Sequence, residues 1–459
     1  MQKSISAPSR VKGAILEFVI DRMARIAAKG AKKDPDKVLQ RLLNLSLKIT
    51  HDDLWREVIE GVQYRLDTGH PAIGVARKFF TQLNPKARSI LVRNLFVQET
   101  FLGPERRHAM EKELGYYPPS TLVISPSMYC PLKCYGCYAG SYNKEEQLSF
   151  EDVDSIVRQA KDLGMRFLVF SGGEPYAWEP LLKILEAHPD VIFQTYTSGL
   201  FFDDKMVDRI TQLGNVFPSI SCEGFEEETD RRRGKGAFNR VVRAMERLRD
   251  NGVFFTFSAT VTRENMEVVT GERFVDFWIE KGCLVGWYFM YMPIGREPKL
   301  ELMLTPAQRV EMSRRIKNFR AGKPIFLIDF WNDGEHSGGC IAGGRKYLHI
   351  NNRGDVEPCV FCHFSTDNIH KTPLAKAIGS AFFRAIRARQ PYHSDLRRPC
   401  IMVDNPRTIR EVVNLAGAHP THPGAETMIT TFTEPLLKYS EEFGEALKNG
   451  PVSTIERHV

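Results

Sequence analysis

The sequence lacks the long apolar segments of a membrane protein. No uninterrupted apolar run reaches the ~20 residues that a membrane-spanning helix needs. The short apolar stretch from Gly13 to Ile20 contains Glu17, is followed at once by charged residues, and shows no signal-peptide cleavage pattern. We therefore expect a cytoplasmic protein.

A strong excess of one charge is also missing. The 63 basic and 56 acidic residues leave a net charge of +7 over 459 residues, which is mild for this length. Such a charge gives little support for nucleic-acid binding and would equally suit an anionic lipid or an acidic peptide. We expect no nucleic-acid partner. The length itself predicts two or three domains with an ample core.

Cysteine is scarce and absent from residues 1–117. The total of nine is an odd number, and without a secretion signal it argues against a disulfide framework. Two groups stand out: Cys130, Cys134 and Cys137, then Cys340, Cys359, Cys362 and Cys400. This clustering indicates metal binding in a reducing compartment.

Residues 1–117 predict an N-terminal helical domain that ends at Pro118-Pro119. Apolar residues recur at helical spacing over residues 11–28, a second helical segment runs from Pro35 to Leu47, and a third begins within residues 51–55. Residues 75–102 are basic and amphipathic. We favour packing of these helices on the next domain, with a membrane-surface or lipid-handling face as the alternative.

From Thr121 the pattern alternates between apolar strands and helices. Such alternation is typical of a parallel sheet, and six strand–helix units predict an α/β domain with a partial (β/α)6 TIM-type barrel. In barrels of this kind the chemistry lies at the C-terminal ends of the strands. The six predicted strands are Thr121–Pro126, Arg166–Ser171, Val191–Thr197, Val216–Cys222, Val253–Thr262 and Val285–Pro293.

The first cysteine group, Cys130-Pro-Leu-Lys-Cys134-Tyr-Gly-Cys137, directly follows the first strand. Three converging thiolates suit a soft metal centre. A [4Fe–4S] cluster needs four ligands, so three leave one iron open. Zinc sites usually close all four positions, and this spacing fits zinc poorly.

This cysteine motif resembles that of the radical S-adenosylmethionine (SAM) superfamily. The resemblance implies that Cys130, Cys134 and Cys137 bind a [4Fe–4S] cluster whose open iron chelates SAM. It also implies reductive cleavage of SAM to a 5′-deoxyadenosyl radical. The electron for this cleavage would come from a reductase or from a flavodoxin- or ferredoxin-type donor. Many members have an aromatic residue where this chain has Gly136. Tyr135 and Tyr138 flank that position, so the aromatic residue that packs on the adenine stays open.

Further motifs at the strand ends extend the resemblance. The Gly172-Gly173-Glu174-Pro175 stretch corresponds to the segment that holds the SAM amino group. Ser171, which directly precedes it, lies 34 residues after Cys137. Thr197-Ser-Gly departs mildly from the usual Thr-Asn-Gly. The other candidates implied for SAM contacts are Ser221 and Glu223 at the ribose, Arg231 or Arg233 at the carboxylate, and Tyr291 and Ile294 at the adenine. We expect Cys222 to be an inert core thiol and the arginines to lie in a loop above the barrel.

The second cysteine group has the spacing Cys340-x13-Gly354-x4-Cys359-x2-Cys362-x37-Cys400, with a hairpin signal before Gly354. It resembles the opening of the SPASM and twitch auxiliary-cluster domains of radical SAM enzymes. Only four cysteines are present, enough for one closed auxiliary [4Fe–4S] cluster. A zinc knuckle is the alternative, and His363 is a candidate substitute ligand.

Polar residues between the barrel and this group are candidates for proton exchange with a substrate. Asp329, Asp333 and His336 are the catalytic candidates, with a hydrogen-bonded turn as the structural alternative for each. The pattern also predicts an amphipathic helix over residues 373–389 and a loop at residues 419–423, where His419 and His422 have ligand-like spacing.

The domains that we predict are an N-terminal helical domain at 1–117, a radical SAM core at 118–300, a linking helix and strand at 301–335, an auxiliary-cluster domain at 336–410, and a tail at 411–459. We expect a radical SAM enzyme that abstracts hydrogen from a peptide or protein substrate. Two alternatives stay open: C–H activation or C–C coupling on a lipid or isoprenoid chain, with peripheral membrane contact, and a non-catalytic iron–sulfur redox or scaffold protein.

Overall fold

The computed structural model describes residues 22–23, 25–26, 34–49 and 53–449. The helical pattern predicted over residues 11–28 lies mostly outside these residues. The N-terminal region is helical as expected. Its elements are α1 (Pro35–Ile49), α2 (Asp53–Asp67), α3 (Ile73–Gln82), α4 (Pro85–Leu91), a π-helix (Val92–Phe101) and α5 (Leu102–Leu114).

All six predicted barrel strands are present and parallel. They are β1 (Thr121–Ile124), β2 (Phe167–Phe170), β3 (Ile192–Thr197), β4 (Val216–Ser221), β5 (Thr256–Val261) and β6 (Val285–Met290). The strands are apolar along most of their length because helices cover their outer side. The predicted barrel is therefore confirmed.

The sheet extends beyond these six strands at both edges. The strand β7 (Phe326–Asp329) adds in parallel to β6, and β8 (Tyr347–Ile350) adds in parallel to β1. The hairpin partner β9 (Val356–Glu357) completes a nine-stranded sheet in the order β7-β6-β5-β4-β3-β2-β1-β8-β9. The hairpin that we assigned to the auxiliary-cluster region thus belongs to the barrel sheet.

Helices alternate with the strands at nearly the predicted positions. They are α6 (Phe150–Asp162), α7 (Leu181–Ala187), α8 (Asp204–Leu213), α9 (Glu226–Arg233), α10 (Ala237–Asp250), α11 (Met266–Val269), α12 (Glu272–Glu280) and α13 (Pro306–Gly322). The loop predicted for the arginine run is wrong, because Arg231–Arg233 form the last turn of α9. Three glutamates in its first turn and three arginines in its last turn complement the helix dipole.

The C-terminal region consists of helices of varied length and two short strands. They are α14 (Gly334–Ser337), β10 (Phe364–Ser365), α15 (Leu374–Ile378), α16 (Ala381–Arg387), α17 (Pro406–Ala416), β11 (His419–Pro420) and α18 (Thr433–Asn449). The single helix predicted over 373–389 is wrong, because Ser380 caps a new helix instead of continuing the first. The loop predicted at 419–423 is also partly wrong, because β11 pairs with β10.

The basic, amphipathic helices pack on the barrel. Leu83 and Leu91 form a buried cluster with Ile192 and Phe217 at the start of the barrel strands. Several cations of this segment are engaged within the protein: Arg77 pairs with Asp36, and Lys78 donates to the carbonyl of Ile279. The favoured packing interpretation is confirmed. Within the described ranges no helix is both long and apolar enough to cross a membrane.

Candidate functional site

Strand register defines the inner face of the barrel. The Tyr288 hydroxyl donates to the carbonyl of Val269 in α11, outside the sheet, so its neighbours Trp287 and Phe289 point inward. Residues paired across parallel strands share a face. The inward positions near the C-terminal strand ends are Ser125, Ser171, Tyr196, Ser219, Ser221, Ser258, Thr260, Trp287, Phe289, Ile328, Phe330 and His349.

The loop with the first cysteine group lies directly above β1 and β2. Gly173 donates to the carbonyl of Ser127, and Glu174 donates to that of Tyr129, at 3.0 and 2.8 Å. A Cβ on Gly173 would lie 2.1 Å from the Tyr129 oxygen. Only glycine allows this approach, which brings the Gly172–Glu174 turn against the backbone that leads into Cys130.

The segment after β6 holds the other side of the cysteine loop. The amide of Arg296 donates to the carbonyl of Cys137 at 3.0 Å, and the Arg296 guanidinium donates to the carbonyl of Cys134 at 3.1 Å. Gly295 sits so close that a Cβ would lie 2.3 Å from the Cys137 oxygen. The cysteine loop is therefore fixed between the ends of β2 and β6.

Gly136, the departure from the family pattern, has a structural reason. Its φ of 59° lies in the left-handed region, and a Cβ there would be 2.6 Å from the Tyr291 ring. Tyr291 is buried, and its hydroxyl accepts from the amide of Lys299 at 3.0 Å. The aromatic ring beside the third cysteine thus comes from the residue that follows β6. Ile294, the other candidate of this segment, is fully buried.

We expect Gly136→Ala to lower the free energy of unfolding more than Gly69→Ala does. Both glycines have positive φ, so each alanine pays ~1–2 kcal/mol for the left-handed backbone. Gly69 has open space around its Cβ position, whereas Gly136 meets Tyr291, which adds ~1–3 kcal/mol of overpacking. Urea denaturation of both variants measures the difference, and equal losses would refute the Tyr291 contact.

Glu174 is fully buried and its carboxylate is saturated. Oε1 accepts from Thr197 Oγ1 at 2.7 Å, and Oε2 accepts from the Ser198 amide and hydroxyl at 2.8 and 2.6 Å. Burial raises the pKa of Glu174, although the bonds from Ser198 and Thr197 oppose this. The side chain therefore ties the turn after β2 to the end of β3.

Glu223 forms the centre of a buried charge cluster after β4. Its Oε1 accepts from Arg232 at 2.6 Å and from two nitrogens of Arg233 at 2.8 and 2.5 Å, and its Oε2 accepts from the Thr260 amide at 3.0 Å. Burial alone would raise the pKa of Glu223, but the two guanidinium groups outweigh it and lower the pKa. Arg231 instead points to solvent and lies 3.5 Å from Glu264.

Two aromatic residues next to the cysteines have distinct environments. The Tyr138 hydroxyl bonds to Ser171 Oγ at 2.6 Å, inside the barrel, and burial raises the pKa of Tyr138 to about 12. The Tyr135 ring lies on the rim, 6.0 Å from the Arg232 guanidinium. Arg232 was not among the residues predicted from the sequence. Its contact with Glu223 follows from the helical conformation of α9, in whose last turn it lies.

The first three thiols fit an iron–sulfur cluster. No disulfide ties them, and Cys130 Sγ accepts from the Leu132 amide at 3.4 Å. Burial raises the pKa of Cys130 to about 11, and the charges of Glu174, Cys134 and Cys137 add to the shift. Such a set favours a bound cation, because a metal keeps neighbouring thiolates deprotonated.

The second cysteine group also converges. Burial raises the pKa of Cys362, and the charges of Cys359, Cys400 and Cys340 raise it further. Backbone and side-chain groups reach these sulfurs: the Phe361 amide donates to Cys359 at 3.4 Å, and the Tyr347 hydroxyl bonds to Cys359 Sγ at 2.7 Å. Hydrogen bonds of this kind support cluster sulfurs.

Neither group has the spacing of a single-ion site. Among the described residues no three His, Cys, Asp or Glu side chains lie close enough together to hold one metal ion. A four-iron cluster needs wider spacing, because each thiolate binds a different iron.

A buried polar network joins the cysteine loop region to the second group. His349 bonds to Ser125 Oγ at 2.7 Å and to Glu357 at 2.6 Å, and Tyr142 donates to Glu357 at 2.8 Å. No local sequence pattern indicates this network, because Ser125 and His349 are 224 positions apart. Their meeting depends on the pairing of β8 with β1.

His363 belongs to a second buried pair. Its Nδ1 lies 2.6 Å from His422 Nε2, and its Nε2 donates to the Val360 carbonyl at 2.8 Å. Both ring nitrogens are therefore engaged. His422 is buried rather than on an exposed turn, and it joins the segment after β11 to the cysteine region.

Of the three candidates for proton exchange, Asp329 and Asp333 meet outside the barrel, where the Asp329 amide donates to Asp333 Oδ2 at 2.9 Å. Asp329 pairs in register with Tyr288, so it faces the outer helices, and it accepts from Asn332 at 2.9 Å. Burial, with the Asp333 charge, raises the pKa of Asp329 to about 6. Asp333 forms a two-bond pair with Arg320, and His336 is exposed in α14.

Two family models match the chain. Residues 124–270 match the radical SAM superfamily, and residues 340–401 match SPASM, described as an iron–sulfur cluster-binding domain. The two segments contain all seven clustered cysteines. The second match favours iron–sulfur over the zinc alternative.

Known proteins of several activities are similar to this chain. An AdoMet-dependent heme synthase of Nitratidesulfovibrio vulgaris is 24% identical over 57% of this chain and 80% of its own length. A PqqA peptide cyclase of Gluconobacter oxydans is 25% identical over 53% of this chain and 70% of its own length. The fold is similar to that of Streptococcus suis SuiB bound to precursor peptide SuiA, with a TM-score of 0.54, 17% identity, and coverage of 69% of this chain and 88% of SuiB.

Proposed function

Because this chain belongs to the radical SAM superfamily and carries a SPASM domain, we propose that it abstracts hydrogen from an unactivated C–H bond of a peptide or protein. A [4Fe–4S] cluster on Cys130, Cys134 and Cys137 would supply the electron that cleaves SAM to a 5′-deoxyadenosyl radical. The observation that carries this proposal is the convergence of the cysteine loop, the Gly172–Pro175 turn and the Glu223 cluster at one rim.

We assign the contacts to SAM from this rim. The backbone of Gly172 and Gly173 would receive the amino group, while the saturated Glu174 holds their turn in place through Thr197. Nε and Nη2 of Arg233 donate to Glu223. Its Nη1 would donate to the carboxylate of SAM, since guanidinium groups bind carboxylates well. Ser221 would contact the ribose, and Tyr291 would pack on the adenine, with Tyr135 at the rim.

The peptide assignment rests on similarity and on the barrel interior. The peptide cyclase relative acts on a peptide by its name. Inside the barrel, the hydroxyls of Ser258 and Thr260 make no hydrogen bond with another described residue. Peptide amides can use such hydroxyls, whereas an acyl chain would leave them unpaired at a cost. This disfavours the lipid alternative.

A tetrapyrrole is the second candidate substrate, because the heme synthase relative matches over 80% of its length. Propionate groups of such a macrocycle need cationic partners. The inward strand positions provide no lysine or arginine, so the interior favours the peptide.

Anaerobic reconstitution with iron and sulfide tests the proposal. We expect about eight irons per chain for two four-iron clusters, against about four if zinc occupies the second site. With SAM and a reductant, 5′-deoxyadenosine should form, and mass spectrometry of products from the peptide fraction of a cell extract should reveal a hydrogen-abstracted peptide. Replacing the chemical reductant with flavodoxin or ferredoxin tests the electron donor. If the protein contains both clusters but forms no 5′-deoxyadenosine, the proposal is refuted in favour of a non-catalytic iron–sulfur protein.

A further inference from the structure

Four aromatic side chains form one continuous wall inside the barrel. The wall consists of Tyr196, Trp287, Phe289 and Phe330, all at inward positions and all partly exposed. The Trp287 and Phe289 rings are stacked with centroids 6.0 Å apart, Tyr196 meets Phe289 edge-on at 5.5 Å, and Phe330 lies 5.1 Å from Phe289. Partial exposure of every member indicates open space beside the wall.

The aromatic wall continues to both cysteine groups. The Phe289 ring lies 6.5 Å from Phe361, which stands between Cys359 and Cys362. Phe361 in turn lies 5.3 Å from Tyr138, the neighbour of Cys137. A molecule packed on the wall would therefore sit beside the place where the proposed radical forms.

Trp287 carries a donor without a partner. Its Nε1 is shielded from water and makes no hydrogen bond with any described residue. An unpaired buried donor is costly, and in this position a carbonyl or hydroxyl of a bound molecule that packs against the indole would satisfy it.

The strands between Tyr196 and Trp287 carry polar, uncharged side chains at their inward positions. Gln194 donates to Ser219 at 2.6 Å, and Ser219 bonds to Thr256 at 2.5 Å, which closes the lower end. The hydroxyls of Ser258 and Thr260, which make no hydrogen bond with another described residue, lie above these bonds and beside Trp287 and Phe289. No inward position on β1–β7 holds a charged residue, so a charged group would enter at a high desolvation cost.

We propose that the aromatic wall selects a neutral aromatic side chain of the peptide substrate and that Trp287 Nε1 donates a hydrogen bond to it or to its backbone carbonyl. The proposal rests on the proposed function, and it names the residue class that the enzyme acts on. Aromatic rings pack edge-on and offset against such a wall with an energy beyond simple burial.

Capped tripeptides of the form N-acetyl-Gly-Xaa-Gly-amide test the selection. Isothermal titration calorimetry of the reconstituted, SAM-loaded protein should show that the phenylalanine and tyrosine probes bind at least about tenfold more tightly than the lysine and glutamate probes. The leucine probe should fall between them. Equal affinity for the lysine probe, tighter binding of octanamide than of the phenylalanine probe, or no binding of any aromatic probe would each overturn the proposal.

Trp287→Phe isolates the hydrogen bond, because it keeps most of the ring and deletes Nε1. We expect the tyrosine and phenylalanine probes to bind about twofold to tenfold more weakly. Trp278→Phe is the matched control: Trp278 Nε1 is also unpaired, but its ring is fully buried among Phe257, Phe274 and Phe277, outside the barrel. Unchanged affinity in Trp287→Phe, or an equal loss in both variants, would contradict the role of Trp287.

The binding measurement is separate from the test of SAM cleavage. A protein that binds the aromatic probes but forms no 5′-deoxyadenosine would refute the proposed function and retain the selection. A protein that cleaves SAM but binds every probe alike would retain the function and refute the selection. Where both hold, a phenylalanine probe deuterated at its β-carbon should transfer deuterium to 5′-deoxyadenosine.

Discussion

Cys134→Ala is expected to abolish reductive SAM cleavage. Removing even an outer partner of a metal ligand typically costs ~10–100-fold in affinity or activity, so loss of a ligand itself should lower 5′-deoxyadenosine formation by more than ~100-fold. Cys134 stands in the middle of the loop that Arg296 and the Gly172–Glu174 turn hold above β1 and β2. Iron content should fall from about eight to about four per chain if the second cluster is retained.

Cys222→Ala is the matched control for this prediction. Cys222 is fully buried and has a raised pKa because of burial, as expected for a core thiol between Ser221 and Glu223. Its replacement should leave iron content and SAM cleavage within about twofold of the wild type, with a modest loss of stability. Iron analysis and anaerobic chromatography check both variants. Full SAM cleavage by Cys134→Ala would contradict the assignment of the cluster.

The barrel could be predicted from the sequence because its signals are local. Apolar runs such as Phe167–Phe170 end in glycine-rich turns, and helices such as Phe150–Asp162 carry their own start and stop residues. The three-cysteine loop and the Gly172–Pro175 turn are also contiguous motifs. Their convergence then follows from the rule that parallel strands end at the same rim.

The parts that could not be predicted depend on long-range pairing. The addition of β8 to the edge of β1 creates the Ser125–His349–Glu357 network, and no local pattern in either strand indicates that the two will pair. The side on which Asp329 points depends on its register with Tyr288, which places it among the outer helices rather than inside the barrel. A one-residue shift in register would have reversed that outcome. The proton-exchange roles of Asp329, Asp333 and His336 therefore remain predictions, and none of the three residues lies at an inward position of the barrel.

Asp404→Ala is expected to destabilise the protein by ~3–5 kcal/mol, because it leaves the Arg309 cation buried without its partner. Both side chains are fully inaccessible, and Arg309 donates to the two Asp404 oxygens at 2.5 and 3.0 Å. Asp404 also accepts from the Cys400 amide at 3.0 Å. The loss should therefore include iron of the auxiliary cluster as well as stability.

Asp395→Ala is the matched control, because Asp395 belongs to the same region but forms a partly exposed pair with Arg397. Such pairs contribute ~0–1 kcal/mol, so urea denaturation should separate the two variants clearly. The double variant Arg309→Met/Asp404→Leu should recover part of the stability, since it removes both charges instead of leaving the Arg309 cation buried without a partner. It should not recover the auxiliary iron fully, because leucine cannot accept from the Cys400 amide. An Asp404→Ala variant as stable as Asp395→Ala would show that Asn332 and the Phe443 ring, 3.8 Å from the Arg309 guanidinium, suffice to hold the cation.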